Sequence, residues 1–163
     1  MTDAKFAAFA ATYAEHQRPL WAYLVRLGAS RTAAEDLAQE AFIKWLNSDQ
    51  SFEQPGQARA FLFTVAGRLL IDQWRRERRL VSWDAAAPVQ TVEAAGDGMM
   101  SGAAWAALTP RERQLLWLAY AEEFTHAEIA EITGLAAASI KVLLSRARAR
   151  LEARLTPPEA PDE

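Results

Sequence analysis

The clearest chemistry in the chain lies between Ser139 and Arg150, where Lys141, Arg146, Arg148 and Arg150 gather with the hydroxyls of Ser139 and Ser145. Ammonium and guanidinium groups bind phosphate, and a guanidinium also matches the paired acceptors on a guanine edge. Ile140, Leu144, Ala147 and Leu151 recur among these cations at helical spacing, so the basic groups ride on a helix whose other side faces a core. Upstream, Thr125 and Glu128 have the spacing of a capping box that opens a first helix, with Ile129, Ala130 and Ile132 on its apolar side. Gly134 sits where the chain must turn. Ala130, Gly134 and Ile140 have the order and spacing of a helix-turn-helix, in which small residues let two helices approach and a branched one locks them. An ordinary helical hairpin would share the periodicity without that ordered triplet, so DNA binding is the expectation. Val142 and Leu143 lie on the presumed DNA side. Either they pack on neighbouring helices or they read thymine methyl groups.

A second basic patch ends an earlier segment. Five arginines, Arg68, Arg75, Arg76, Arg78 and Arg79, face only Asp72 and Glu77 there. Between the two patches, from Leu80 to Ala138, eight acids outweigh Arg111 and Arg113. The net charge of −3 argues against indiscriminate nucleic-acid binding, and the separation of the patches argues for two local contacts.

The elements that must position these groups all read as helices. Phe6, Phe9, Tyr13, Leu20, Leu24 and Leu27 form a helical stripe in which Pro19 should kink the helix or start a second segment, and Gly28 should end it. Thr32 and Glu35 have capping-box spacing for a helix running to about Asn47. The polar Pro-Gly stretch Asn47–Gln57 reads as a loop, followed by a helix from Ala58 to about Arg79 with Phe61, Leu62, Val65, Leu69 and Trp74 as core candidates. Residues 80–103 carry no sustained period and read as a flexible acidic linker. Trp105, Leu108, Leu115, Leu116 and Leu118 then build helices under the helix-turn-helix, with Thr109 as cap and Pro110 at the first position. The Pro-rich acidic tail 156–163 reads as disordered. The expected fold is all-α: two small helical domains, 1–79 and 104–155, joined by the linker.

The chain has no Cys, which excludes disulfides and thiolate metal sites, and its first residues lack a secretory layout. A soluble cytoplasmic protein without membrane insertion is expected. No catalytic site, metal site or cofactor is expected either. His16 and His126 are the only histidines, and neither a phosphate-binding Gly-rich loop nor a G-x-S-x-G turn occurs.

The order of parts resembles bacterial RNA polymerase sigma factors of the extracytoplasmic-function group, the minimal kind that holds only regions 2 and 4. Three motifs carry the resemblance: Asp36-Leu37-Ala38-Gln39-Glu40-Ala41-Phe42, then Phe61 to Ala66 with Leu69, Asp72 and the Arg cluster, then Leu108 to Leu151. It implies that Asp36, Gln39, Glu40 and Ile43 bind the β′ clamp helices of core polymerase. It also implies that Phe52, Arg59, Arg68, Trp74, Arg75, Arg76, Arg78 and Arg79 serve the minus-10 element, with the loop Asn47–Gln57 trapping a flipped base. Thr125, His126, Ser139, Lys141, Val142, Leu143, Ser145, Arg146 and Arg150 would serve the minus-35 element while region 4 rests on the β-flap. The implied free form is a monomer controlled by an anti-sigma factor.

Three departures stand out, one of them Leu143, two positions after Lys141, where the group commonly has a basic residue. The group commonly has Arg-Asn where this chain has Gly67-Arg68, and Ala136 replaces a Ser before the recognition helix, a lost cap worth about 1 kcal/mol. Two other classes share parts of the pattern. Leu108–Arg113 reads L-T-P-R-E-R, as in helix-turn-helix transcription regulators, and a sigma mimic that titrates an anti-sigma protein would keep the same architecture.

Overall fold

The computed structural model describes residues 3–48, 56–77, 82–84 and 102–155. Within them lie seven α-helices and no strand: α1 (Asp3–Leu27), α2 (Arg31–Asn47), α3 (Gln57–Arg76), α4 (Gly102–Ala106), α5 (Pro110–Leu116), α6 (His126–Thr133) and α7 (Ala137–Leu155). A π-helical turn, Trp117–Ala121, continues α5.

The first three helices form one unit. Tyr23, Leu24 and Leu27 of α1, Leu37, Ala41 and Phe42 of α2, and Leu62, Phe63 and Ala66 of α3 are buried together. The contact of Tyr13 with Phe42, ring centroids 4.9 Å apart, ties α1 to α2. Pro19 lies inside α1, which runs unbroken through it. The helix α2 opens two residues earlier than the Thr32 spacing suggests: Ser30 is its cap, its Oγ accepting from Ala33 N at 3.1 Å.

The core side of α3 also differs from expectation. Its deepest residues are Leu62, Phe63, Ala66, Gly67, Leu70, Ile71 and Trp74, while Phe61, Val65 and Leu69 are only half-buried. The reason is tertiary, because α3 packs against α1 and α2 and also against α6, so burial covers more than one stripe.

The second unit is built as its local signals require. Thr109 and Glu112 close a capping box with Pro110 in the first turn of α5, and Thr125 and Glu128 close another on α6. Gly134 ends α6 at φ 74°, a left-handed conformation that costs a side-chain-bearing residue about 1 kcal/mol. Ile129 and Ile132 of α6 then meet Ile140, Leu144, Ala147 and Leu151 of α7, all buried.

Candidate functional site

On α2, Asp36, Gln39, Glu40 and Ile43 are all exposed, because the opposite side of the helix, Leu37, Ala38, Ala41, Phe42 and Trp45, is spent on the core. Ile43 is 55% exposed, a large apolar side chain left in water on an otherwise polar face. Beside it a cleft of about 280 Å³ opens between α1 and α2, with Tyr13, Trp21 and Phe42 as its rings and Gln17, Arg18, Glu35 and Gln39 also on its wall. A face of this kind, polar with an apolar centre and an adjacent cavity, suits protein docking.

On α7, Ser139, Lys141, Val142, Ser145 and Arg146 are exposed on one side. Val142 is 49% exposed, whereas Leu143 is half-buried against the core, so the two apolar residues at the presumed DNA side part company. Lys141 and Arg146 make no ion pair among the described residues. Arg150 pairs with Glu112 of α5 at 3.2 Å, and Arg148 with Glu152 at 3.0 Å. Thr125 and His126 are exposed at the start of α6. Without a side-chain cap at Ala136, the first turn of α7 closes through the backbone, Ser139 N donating to Ala136 O at 2.9 Å.

The second basic patch divides. Arg68, Arg75 and Arg76 are exposed on α3, with Arg75 3.9 Å from Asp72. Phe52, Arg78 and Arg79 lie outside the described residues, as does the tail 156–163 and most of the expected linker. Trp74 lies where its reading as a core candidate put it, and not on the surface that its implied place at the minus-10 element would need. It is 1% exposed and packs beside Gly28, where an added Cβ would stand 3.4 Å from the indole. In this arrangement the indole is part of the core because α3 turns that side inward.

Arg59 is drawn away from solvent by the second unit. Its Nη2 donates to Glu122 O at 2.7 Å and Glu122 Oε2 at 2.9 Å, and its guanidinium lies 3.9 Å from the Phe124 ring centroid. This is one contact of a seam between the two units that the sequence did not suggest. Trp105 Nε1 donates to Arg26 O at 2.8 Å, and Gln114 Nε2 donates to Tyr23 Oη at 3.0 Å. Burial raises the pKa of the Tyr23 hydroxyl, which stays protonated. Part of the expected linker joins the seam: Trp83 O accepts from Arg111 N at 2.9 Å, and the Arg111 guanidinium lies 5.1 Å from the Trp83 centroid. Arg113 and Gln114, both buried, are functional candidates that sequence reading missed. Leu27 O, one of the acceptors of Arg113, and Tyr23 Oη, the acceptor of Gln114, lie far away in the chain, and only the L-T-P-R-E-R stretch marked the neighbourhood.

Comparison with known proteins agrees with this division. Residues 12–80 match the family Sigma-70 region 2, and residues 102–151 match the family Sigma-70, region 4. The chain is 34% identical over 147 residues to the ECF RNA polymerase sigma factor SigL of Mycobacterium tuberculosis, covering 85% of this chain and 83% of that one. It is 31% identical over 145 residues to the ECF RNA polymerase sigma factor EcfG of Rhodopseudomonas palustris, covering 83% and 78%. Among solved structures, the sigma factor RpoE of Bartonella quintana in complex with the anti-sigma factor NepR superposes with a TM-score of 0.71 at 27% identity, covering 91% of this chain and 96% of that one.

Proposed function

This chain belongs to the extracytoplasmic-function group of sigma-70 factors, and from that premise we propose how its surfaces divide the work of transcription initiation. As a sigma factor it binds core RNA polymerase and directs promoter recognition. The α2 face of Asp36, Gln39, Glu40 and Ile43 docks on the β′ clamp helices. The exposed Ile43, ringed by polar residues that keep the free protein soluble, is the observation that carries this reading. The face of α7 bearing Ser139, Lys141, Val142, Ser145 and Arg146 enters the major groove of the minus-35 element. Arg68, Arg75 and Arg76 hold the backbone near the minus-10 element, joined by Arg59 once it leaves Glu122.

The protein works in the cytoplasm beside its polymerase and is itself no enzyme, since the chemistry of RNA synthesis belongs to the core. An anti-sigma factor restrains it, a reading supported by the RpoE structure, which holds the anti-sigma factor NepR. Two measurements test the proposal: assembly with purified core polymerase, and run-off transcription over a randomised promoter library. Assembly without promoter-directed transcripts would favour a sigma mimic instead.

A further inference from the structure

We propose that Glu112 of α5 is a hold on Arg150: it keeps one cation of the recognition helix off DNA and so sets how firmly region 4 grips the phosphate backbone. The inference rests on the sigma reading above and adds to it a residue outside the recognition helix.

The cations of α7 fall into two groups. Lys141 and Arg146 make no ion pair among the described residues and stand ready for DNA. Arg148 and Arg150 each meet a carboxylate, and the two carboxylates differ in how firmly they are placed. Glu152 lies one turn along the same helix with its side chain 52% exposed, so it is free to swing away, and a pair of this kind holds weakly. Glu112 comes from another helix, and its side chain is 15% exposed. The capping box fixes it: Glu112 Oε1 accepts from Thr109 N at 2.9 Å, while Glu112 N donates to Thr109 Oγ1 at 3.2 Å. The same Oε1 lies 3.2 Å from Arg150 Nη1. The cap has therefore ordered the carboxylate before it meets the cation, and a preorganised partner holds better than a free one. A capping box does not require this second partner. Glu128 closes the same kind of box on α6, accepting from Thr125 N at 2.9 Å, and carries no cation among the described residues.

Arg150 stands one turn beyond Arg146, about 6 Å along the helix axis. Its side chain is 53% exposed, so a phosphate can reach it once Glu112 lets go. While the pair is closed, DNA gains nothing from that guanidinium. A phosphate contact carries no sequence information, so the hold acts on the strength of binding and not on the choice of minus-35 sequence. Glu112 thereby trims an attraction that every duplex would share, and leaves discrimination to Val142 and Arg146.

The test is a cycle of four full-length chains: wild type, Glu112→Gln, Arg150→Gln and the double variant. Glutamine keeps the capping box, because its amide oxygen accepts from Thr109 N as the carboxylate does. Each chain is titrated with a duplex bearing the preferred minus-35 sequence and with a scrambled duplex of equal length, at about 50 and about 200 mM salt. Glu112→Gln should bind both duplexes about 3–10-fold more tightly at the lower salt, with the ratio between them unchanged. The gain should shrink about threefold at the higher salt, since one added phosphate contact steepens the salt dependence by about 0.9. In the Arg150→Gln background the gain should vanish, and Arg150→Gln alone should change affinity by less than about twofold. A gain that survives in that background is a general effect of the lost charge and overturns the hold. A loss on Arg150→Gln as large as that on Lys141→Ala also overturns it, because Arg150 would then sit on DNA in the wild type. Unchanged affinity in Glu112→Gln, or no duplex binding by any of the four chains, does the same. Failure to assemble with core polymerase counts instead against the sigma reading, which is scored apart.

Discussion

Arg113 Nη1 and Leu27 O meet at 2.8 Å although 86 positions separate them in the chain. The bond ties the end of α1 to region 4, and it brings a cation indoors with carbonyls, not a carboxylate, as its acceptors. Burial lowers the Arg113 pKa to about 10, with Glu112 opposing the shift, so the group remains charged at neutral pH. Lysine cannot reproduce the three-way fork. Arg113→Lys should therefore cost about 3 kcal/mol in urea unfolding, through carbonyls left without donors.

His16 makes stability depend on pH. Its pKa lies below the ordinary 6.5, chiefly because the ring is buried, with Glu15 pulling it up, Arg59 pushing it down and Glu122 pulling it up. The unfolded chain thus binds this proton more readily than the folded one. Stability should fall as pH drops below about 6.5 and level off once the folded ring also protonates. His16→Gln should flatten the dependence of Tm on pH between about pH 7 and about pH 5.

The docking face on α2 can be removed without touching the core. Asp36→Ala, Gln39→Ala and Glu40→Ala combined should shift stability by no more than about 0.5 kcal/mol per site. Assembly with core polymerase should weaken by at least about tenfold, and Ile43→Ala alone by several-fold. A triple variant that co-elutes with core at wild-type affinity would refute the assignment of this face.

Recognition by α7 separates three residues by their surroundings. Arg146→Ala should cost about 1–3 kcal/mol on the preferred minus-35 sequence and relax the preference at one position, if Arg146 pairs with a guanine. Lys141→Ala should weaken binding about equally on all sequences and lower its salt dependence. Val142→Ala should change preference at a thymine without loss of stability, whereas Leu143→Ala should lower stability by about 1–2 kcal/mol. Binding of the full chain to a panel of minus-35 variants at two salt concentrations, beside thermal melts, distinguishes these outcomes.

Sequence alone determined the features whose bonds close within a few residues. The capping boxes of Thr109 with Glu112 and Thr125 with Glu128 join groups three positions apart, and the turn at Gly134 needs only a left-handed φ. The basic and apolar sides of α7 were legible for the same reason, since helical spacing sorts them without reference to any neighbour. Tertiary structure decided the rest. It chose Ser30 over Thr32 as the cap of α2, where both side chains were chemically suited. It buried Phe63 and Ile71 rather than Phe61 and Leu69, because α3 is covered by helices from both units. It also took Arg59, Arg113 and Gln114 out of the solvated class to which their side chains normally belong. Their partners at Glu122, Leu27 and Tyr23 are 63, 86 and 91 positions away, and a buried polar group is tolerable only where such distant partners converge on it.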